Sequence, residues 1–347
     1  MSPIAPILLD WYALHGRDLP WRTTRDPYRI WISEVILQQT RVAQGLAYYE
    51  RFTEHFADVA ALAAAPQDEV MKLWQGLGYY SRARNLHAAA QQVVEQFGGA
   101  FPSTYAEVRS LRGVGEYTAA AICSVAWNLP YAVVDGNVCR VLARLFDLAE
   151  PIDTAAGRKA LAELAQSLLD EHHAASYNQA IMDFGATLCT PSQPRCAECP
   201  FGASCLARAM GTVAQRPVKQ GRTLVRDRYL NYLHITLGDH TFLHRREGGD
   251  IWQGLYEFPM IESPRTMDFV ELSATEEFRA WLGAGAWQLM RTTVLPRHQL
   301  SHQTLHTVVH QLTIAEASSR LAECRSVPVA EVGDYAVPRL IDCYLSR

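Results

Sequence analysis

Apolar residues in the first part of the chain recur at the spacing of helices. Over residues 1–206 they lie three or four positions apart, as in Val138, Val141, Leu142 and Leu145. This spacing places the apolar side chains on one face of an α-helix. We therefore predict a mainly α N-terminal half of about ten helices.

The pattern changes after residue 228. The stretch YLNYLHITLGDHTFLHRR, with a turn at Gly238-Asp239, and the later stretch TVVHQLTI alternate in polarity and are rich in β-branched residues. Such alternation is typical of strands that are buried on one face. Residues 229–347 are therefore predicted to form an α+β domain, and no repeat of fixed period links it to the helical half.

The segment between the two halves, residues 207–228, is basic and weakly periodic. It contains Pro217 and Gly221 and a single acid, Asp227, and is predicted to be an interdomain linker. Its basic residues are Arg208, Arg216, Lys219, Arg222, Arg226 and Arg228. The whole chain carries a net charge of −4, so it is not coated with positive charge for nucleic acid. The segment is either a local contact for phosphates or a solvated linker.

Length and composition are those of an ordinary globular protein. The 347 residues are 49% hydrophobic, which is enough for two domains with separate cores. No apolar run approaches the length of a membrane span, and the first 16 residues contain no cluster of Lys or Arg. We expect a soluble, monomeric protein of the bacterial cytoplasm or nucleoid, with no membrane partner. Four scattered cysteines are predicted to be small core residues: Cys123, Cys139, Cys324 and Cys343.

Four other cysteines form a tight group with the spacing C-x6-C-x2-C-x5-C. They are Cys189, Cys196, Cys199 and Cys205. Four thiolates without a histidine suit a [4Fe–4S] cluster or a structural zinc ion. A zinc ribbon usually has two separated C-x2-C pairs, and only one occurs here. One [4Fe–4S] cluster per chain is the favoured interpretation, with zinc and metal-free cysteines as alternatives.

A second motif, LRGVGEYTAAAI, predicts a tight hairpin between two helices. A possible capping box of Thr104 and Glu107 opens the first helix. Gly113 and Gly115 flank Val114, and glycine permits a positive φ and leaves backbone N–H groups uncovered. These N–H groups precede a helix predicted over residues 116–126 and could bind one DNA phosphate without reading sequence. A plain tight turn is the alternative.

Two carboxylates are candidates for chemistry. Asp135 precedes an amphipathic helix in VVDGNVCRVLARLF, where it would act as N-cap and stay ionised. Glu34 is the only charged residue between Arg29 and Arg41, so it is either on an exposed stripe or buried with a raised pKa. A protonated Glu beside an ionised Asp would supply an acid and a charge stabiliser for cleaving a glycosidic bond.

These motifs together resemble one known family. LRGVGEYTA, the aspartate of VVDGNVCRVLAR and the cysteine group are similar to the endonuclease III superfamily of helix-hairpin-helix DNA glycosylases. SEVILQQTRV and LWQGLGYYSRARNLH resemble the adenine DNA glycosylases, the MutY family, and HRREGGDIWQGLYEFP resembles the start of that family's Nudix-like domain. The glutamate-rich Nudix box is missing, so this domain is expected to recognise and not to hydrolyse.

The resemblance implies removal of adenine from double-stranded DNA where it is mispaired with 8-oxoguanine or guanine. Glu34 would protonate adenine N7 and then assist the attacking water, while Asp135 would stabilise the oxocarbenium-like sugar or bond to it transiently. Tyr117 and Asn137 would orient them around a flipped-out adenine. DNA contacts are implied for Gln39, Tyr79, Gly113, Val114, Gly115 and Thr118. Arg17, Trp21 and Tyr80 are expected to support the pocket or the core and not to take part in the chemistry.

The resemblance also carries two departures. Endonuclease III enzymes have a lysine nucleophile where this chain has Tyr117, so a monofunctional glycosylase is expected. The family's reader loop is usually Phe-Ser-His, and here it is Leu300, Ser301 and His302, which removes an aromatic ring and leaves the preference for 8-oxoguanine open. A bifunctional glycosylase/lyase and a non-catalytic DNA-binding Fe–S protein are the alternative functions.

Histidines recur every four residues around the reader loop. They are His298, His302, His306 and His310. Because the flanks resemble strands, we interpret them as imidazoles near a DNA-facing loop and not as metal ligands.

Overall fold

The computed structural model describes residues 4–221 and 224–346. It divides into two compact units, one of Met1–Ala64 with Asn85–Gly221 and the other of Ala65–Arg84 with Arg222–Arg347. None of the helices within the described residues is long and apolar enough to cross a membrane.

The described residues up to Gly221 form twelve α-helices joined by short loops. In chain order they are α1 Ile4–His15, α2 Pro27–Leu37, α3 Val42–His55, α4 Val59–Ala64, α5 Gln67–Leu73, α6 Ser81–Phe97, α7 Tyr105–Ser110, α8 Glu116–Trp127, α9 Gly136–Leu145, α10 Ala155–Leu168, α11 Ala174–Thr187 and α12 Leu206–Ala209. Two 3₁₀ turns lie between them, at Pro20–Arg22 and Glu171–His173, and a third follows α12 at Val213–Gln215. The predicted helical half is confirmed.

Polar side chains fix where several of these helices begin. Asp26 accepts a hydrogen bond from the Tyr28 N–H ahead of α2, and Thr154 accepts one from the Gly157 N–H ahead of α10. Each such cap satisfies a backbone donor that the first helical turn leaves unpaired, and stabilises the helix by about 1 kcal/mol. At the start of α7 only half of the predicted capping box forms, because the Thr104 hydroxyl donates a hydrogen bond to the Glu107 carboxylate.

The core of the helical unit lies where α1, α8, α9, α10 and α11 meet. The large side chains buried there include Leu8, Leu142, Leu161, Tyr177 and Phe184. The loop that carries the four cysteines packs against the same core. Burial of this surface therefore holds the cysteine segment and the start of α9 on one framework.

The second unit contains a mixed sheet with short helices. Its elements are β1 Arg226–Leu237, β2 His240–Arg245, β3 Tyr256–Glu257, β4 Met260–Ser263, α13 Phe269–Ser273, α14 Glu276–Leu282, β5 Trp287–Val294, β6 His298–Gln299, β7 Gln303–Ile314, α15 Ser319–Ala322, β8 Arg325–Pro328 and α16 Arg339–Leu345. A 3₁₀ turn at Val329–Asp334 precedes α16. The strand order is β3-β2-β1-β7-β5, with β4 on β1, β6 on β7 and β8 on β2. Only β1 and β7 pair in parallel among the described strands, and the predicted α+β class is confirmed.

Alternation along β1 builds a core on each face of the sheet. Leu230 and Tyr232 pack into one apolar cluster, whereas Leu233 and Ile235 pack into the other. This follows from the two-residue period of a strand, which sends neighbouring side chains to opposite faces. Because both faces are covered, β1 and its parallel partner β7 form the buried centre of the unit.

The segment 65–84 belongs to this second unit, a grouping that no sequence pattern predicts. Asp68 accepts a 2.8 Å hydrogen bond from the Tyr256 hydroxyl, and Lys72 donates to the carbonyl oxygens of Gly333 and Tyr335. Arg84 donates to the carbonyl of Gln253. Tyr79 therefore belongs to the same unit as the reader turn described below.

The basic segment is anchored at its first end. Ile152 N–H donates to the Val218 carbonyl, and Asp153 accepts hydrogen bonds from the N–H groups of Gln220 and Gly221. Arg222 lies outside the described residues. The residues up to 221 therefore pack on the helical unit.

Candidate active site

A cleft of about 860 Å³ opens in the helical unit and collects the predicted catalytic residues. Glu34 enters it from α2 and Tyr117 from the first turn of α8, while Asp135 and Asn137 enter from the start of α9. This volume is in the range of ordinary ligand sites. Three helices far apart in sequence thus bring together the residues on which the sequence analysis placed the chemistry.

Glu34 is half-buried and holds one strong hydrogen bond. The Tyr117 hydroxyl donates to its Oε2 at 2.7 Å. The pKa of Glu34 is raised to about 7, mainly by burial and also by the charge of Asp135, against the lowering effects of the bond from Tyr117 and the charge of Arg22. A carboxyl with a pKa near neutrality can deliver a proton at physiological pH. The open choice between an exposed and a buried Glu34 is therefore settled in favour of a partly buried carboxyl in a cleft.

Asp135 is the N-cap of α9, as predicted. Its Oδ1 accepts from the Val138 N–H at 2.8 Å, and its Oδ2 accepts from the Asn137 side chain at 2.7 Å. These bonds favour the charged form, yet burial is the larger effect and raises the pKa of Asp135 above its usual value. Desolvation therefore opposes the stabilisation that the helix N-terminus gives to the carboxylate, and the ionised state of Asp135 stays a prediction.

Asn137 is itself fixed by a buried arginine. Its Oδ1 accepts from Arg140 at 2.7 Å, and Arg140 also donates to the carbonyl oxygens of Gly185 and Cys189. A side chain at position 185 would collide with Asn137, because a Cβ there would lie 2.7 Å from the Asn137 Cβ. Arg140, the tight space beside Gly185 and the bond to Asp135 therefore fix the orientation of Asn137.

A second buried charge cluster borders the cleft and was missed in the sequence. Asp183 is fully buried and accepts hydrogen bonds from Arg17 at 2.9 Å and from Arg22 at 2.6 Å. Arg17 and Arg22 line the cleft. The signal was present, since Asp183 is a lone acid in the apolar stretch AIMDFGATL, but its partners lie more than 160 residues away.

The four cysteines line one cavity in the same unit. All four are half-buried, and Arg144, Arg195 and Arg208 line the cavity with them. Arg144 donates to the Cys189 sulfur at 3.4 Å. Within the described ranges, no three His, Cys, Asp or Glu side chains converge closely enough to hold a single metal ion. Four thiolates around one cavity are a donor set that suits an iron–sulfur cluster or a structural zinc ion.

The predicted hairpin forms between α7 and α8. Gly113 has a φ of +77°, and a Cβ there would lie 2.7 Å from the Asn85 Cβ, so glycine is required for both reasons. Gly115 has a negative φ of −88° and open space around it. Its lack of a side chain therefore serves close approach and not backbone geometry. Val114 N–H is taken by the Leu111 carbonyl, so the predicted phosphate contact would fall to the amides at the start of α8.

The other predicted DNA contacts differ in exposure. Gln39 is exposed with a φ of +56° and lines the cleft. Tyr79 in the second unit is 46% exposed with a φ of +48°. Thr118 is 2% exposed, and its hydroxyl accepts a hydrogen bond from Gln38. The side chain of Thr118 is therefore not available to DNA, and only its backbone N–H remains a candidate.

The residues expected to support the pocket have interior partners. Trp21 is buried against Tyr49 with ring centroids 5.1 Å apart, and Tyr80, buried in the second unit, accepts a hydrogen bond from the Gly76 N–H. Arg17 holds Asp183 as described above.

The reader residues occupy the turn between β6 and β7. Ser301 and His302 are exposed, whereas Leu300 packs against an apolar cluster of the second unit. The Tyr79 hydroxyl lies 2.6 Å from the Ser301 Oγ. The Gln299 side chain closes the turn, since it donates to the carbonyls of Leu300 and Gln303 and accepts from Thr304.

The remaining histidines of the series lie on the strands beside this turn. His298 is in β6, and His306 and His310 are in β7. His306 bonds to Asp227 at 2.7 Å, and His310 bonds to Thr292 at 3.1 Å. His306 and His310 are four residues apart on one strand, which separates them by about 13 Å along it, and each has its own partner.

Comparison with known proteins places both halves of the chain. Residues 32–167 match the family model described as HhH-GPD superfamily base excision DNA repair protein, and residues 231–347 match the NUDIX domain model. An adenine DNA glycosylase from Buchnera aphidicola subsp. Baizongia pistaciae is 33% identical over 304 residues, 86% of this chain and 83% of that protein. An adenine DNA glycosylase from Mus musculus is 36% identical over 324 residues, 86% of this chain and 62% of that protein.

Solved structures show the same helical architecture. A thermostable thymine-DNA glycosylase has a TM-score of 0.56 and 31% identity, covering 59% of this chain and 95% of its own. A non-covalent endonuclease III–DNA complex has a TM-score of 0.52 and 22% identity, covering 60% of this chain and 96% of its own. The second match supports the fold alone.

Proposed function

We propose a specific substrate and mechanism for this chain. The chain belongs to the adenine DNA glycosylase family and is a DNA glycosylase of base excision repair. The proposed reaction is hydrolysis of the N-glycosidic bond of adenine mispaired with 8-oxoguanine or guanine, without strand cleavage. The observation that carries it is the pairing of two carboxyl groups in one cleft, one of which has a pKa of about 7.

In the proposed first step, Glu34 gives its proton to N7 of the flipped adenine. The bond between adenine N9 and the sugar C1′ then breaks, and its electron pair leaves with the base. Tyr117 holds the Glu34 carboxyl through the 2.7 Å hydrogen bond, so the proton is presented from the other oxygen. General acid catalysis of this kind contributes about 10² to 10⁴ in rate.

Positive charge then develops on the sugar and faces Asp135. Its carboxylate is held by Val138 and Asn137, so no reorganisation is needed when the charge appears. Water adds to C1′ and gives its proton to the Glu34 carboxylate, which restores the acid. Tyr117 carries no amine, so a Schiff base with the sugar cannot form, and this supports a monofunctional enzyme.

The four cysteines are proposed to hold one [4Fe–4S] cluster. The donor set is all thiolate around one cavity, and bound iron would cross-link the segment between Cys189 and Cys205. Arg140 joins this segment to the catalytic end of α9, because it donates to both the Cys189 carbonyl and Asn137. Iron and acid-labile sulfide analysis of the purified protein tests the assignment; stoichiometric zinc without iron would contradict it.

Lesion recognition is proposed for Ser301 and His302. They are exposed at a turn closed by the Gln299 side chain, and Ser301 lies beside the exposed Tyr79. Each hydrogen bond to a base edge would add about 1 to 3 kcal/mol of discrimination. The double substitution Ser301→Ala and His302→Ala should therefore lower the preference for A:8-oxoguanine over A:G and leave excision from A:G nearly unchanged.

Single-turnover excision from an A:8-oxoguanine duplex tests the chemistry. Glu34→Gln and Asp135→Asn should each retain mismatch binding, and Glu34→Gln should lose at least about 10²-fold in rate. Glu163→Gln removes an exposed carboxylate of a surface ion pair on α10 and is the matched control. Near-normal excision by Glu34→Gln would remove the acid from the mechanism.

A further inference from the structure

A polar groove of about 640 Å³ lies beside the reader turn in the second unit. We define it by Arg84, Arg226 and His302, which line it together with Gln253 and Asp250. It is separate from the catalytic cleft of the helical unit, whose lining contains none of these residues.

The charge of the groove is positive and uncompensated. Arg84 donates only to the carbonyl and side-chain oxygens of Gln253, which are neutral. Neither Arg84 nor Arg226 forms an ion pair with any residue in the described part of the chain. The one acid in the lining, Asp250, is held by two other arginines at 2.8 Å each.

Arg226 differs in this respect from its neighbours in the basic segment. Arg216 pairs with Asp147 at 2.9 Å, and Arg228 is buried between Asp250 and Glu262. Arg226 is exposed at the first position of β1. The basic residues of the segment therefore differ in their surroundings, and Arg226 is an exposed one that lines this groove.

The groove and the reader turn are joined by contacts between their backbones. The Arg226 N–H donates to the His302 carbonyl at 3.2 Å, and Arg226 is the β-sheet partner of Gln303. A base read by Ser301 and His302 has its own phosphates close by, since each DNA strand carries one charge per 3.4 Å of helix axis. Arginine suits such a group, because its planar guanidinium can bind two phosphate oxygens at once.

We propose that this groove binds one phosphodiester of the strand whose base is read by Ser301 and His302, through Arg84 and Arg226. The inference rests on the proposed lesion reading and adds to it a phosphate contact that fixes the register of the strand. Contacts of this kind position a duplex and carry no sequence information. Arg226 should therefore affect 8-oxoguanine and guanine duplexes equally.

The salt dependence of binding tests the charge. Full-length protein is titrated with a duplex that carries a stable abasic-site analogue opposite 8-oxoguanine or guanine, from 50 to roughly 300 mM salt. Arg226→Gln should make the slope of log K against log salt shallower by about 0.9 for both duplexes. Arg226→Lys should keep the slope, and Arg279→Gln, an exposed charge on α14 outside the groove, should match the wild type.

Neutral phosphate linkages test the position. Methylphosphonates are placed one at a time on each side of 8-oxoguanine. At one position the neutral linkage should weaken binding by the wild type and have no further effect on binding by Arg226→Gln.

The proposal is overturned if every neutral linkage weakens binding equally in both proteins, or if Arg226→Gln leaves the slope of log K against log salt unchanged. It is also overturned if inorganic phosphate shifts the His302 imidazole resonances in NMR while the duplex result is negative, since the groove would then bind a free anion. A wild-type protein with no preference for 8-oxoguanine would instead refute the proposed lesion reading.

Discussion

The hydrogen bond from Tyr117 to Glu34 should set the pH at which excision declines. Tyr117→Phe removes the hydroxyl that donates to Glu34 Oε2 at 2.7 Å and leaves the ring in place. That bond favours the carboxylate, so it lowers a pKa that burial has raised to about 7. Its removal should therefore raise the pKa of Glu34 further.

The size of the shift follows from the strength of such bonds. A hydrogen bond to a charged group contributes about 1.5 to 3 kcal/mol, and one pKa unit corresponds to about 1.4 kcal/mol. The neutral carboxyl also accepts this bond more weakly, so a net shift of about one unit is expected. Because the acid must be protonated to act, about 10% of the wild type and about 50% of the variant would be active at pH 8.

Single-turnover excision from pH 5.5 to 9 measures the effect. Between pH 6 and pH 8 the wild-type rate should fall about tenfold and the Tyr117→Phe rate only about twofold, whatever its absolute value. Tyr105→Phe is the control, because Tyr105 is half-buried and stacks on Tyr131 at 4.2 Å. An equal or steeper decline in Tyr117→Phe would show that this bond does not set the pKa of the catalytic acid.

Three further substitutions test the site and the turn. Because the pKa of Glu34 is raised to about 7, the wild-type protein loses folding stability as the pH rises from the usual carboxyl pKa to about 7. Glu34→Gln should therefore gain stability relative to the wild type by at most about 3 kcal/mol between pH 4.5 and 8, as measured by urea unfolding. A stability difference that stays constant with pH would contradict the raised pKa. Asp183→Asn leaves two arginines without their buried anion and should cost about 3 to 5 kcal/mol of unfolding free energy, and a loss below 1 kcal/mol, about that of a surface pair, would refute its bridging role. Gln299→Leu removes the bonds that close the reader turn and should reduce the ratio of A:8-oxoguanine to A:G excision rates without changing thermal stability by more than a few degrees; an unchanged ratio would leave Gln299 without a positioning role.

Local features of the fold were predictable because their causes are local. The change of period after residue 228 separates helices from strands, and Asp135 is recognisable as a cap because it stands directly before an amphipathic helix. Gly113 is likewise fixed by the turn itself, through its positive φ. In each case the residue and its partner are within a few positions of each other.

Features that depend on distant partners were not predictable. Asp183 meets Arg17 and Arg22 across more than 160 residues, and segment 65–84 joins the C-terminal half by contacts that span still more of the chain. Glu34 was ambiguous because α2 is buried on nearly all sides, so the helical period could not decide its exposure. Its environment is decided by distant residues, since α8 brings Tyr117 to it and the start of α9 brings Asp135.

The two carboxyl groups are distinguished by the number of donors that each receives. Asp135 accepts hydrogen bonds from a backbone N–H and from Asn137, whereas Glu34 accepts one from Tyr117. Burial raises both pKa values, and the group with fewer donors is the one that keeps its proton near neutrality. Burial also raises the pKa of Tyr117 well above its usual value, so its hydroxyl remains a donor at every pH at which the enzyme would act. Tyr117 therefore moderates the pKa that burial raises at Glu34, and in the proposed mechanism the absence of an amine at position 117 leaves water as the nucleophile.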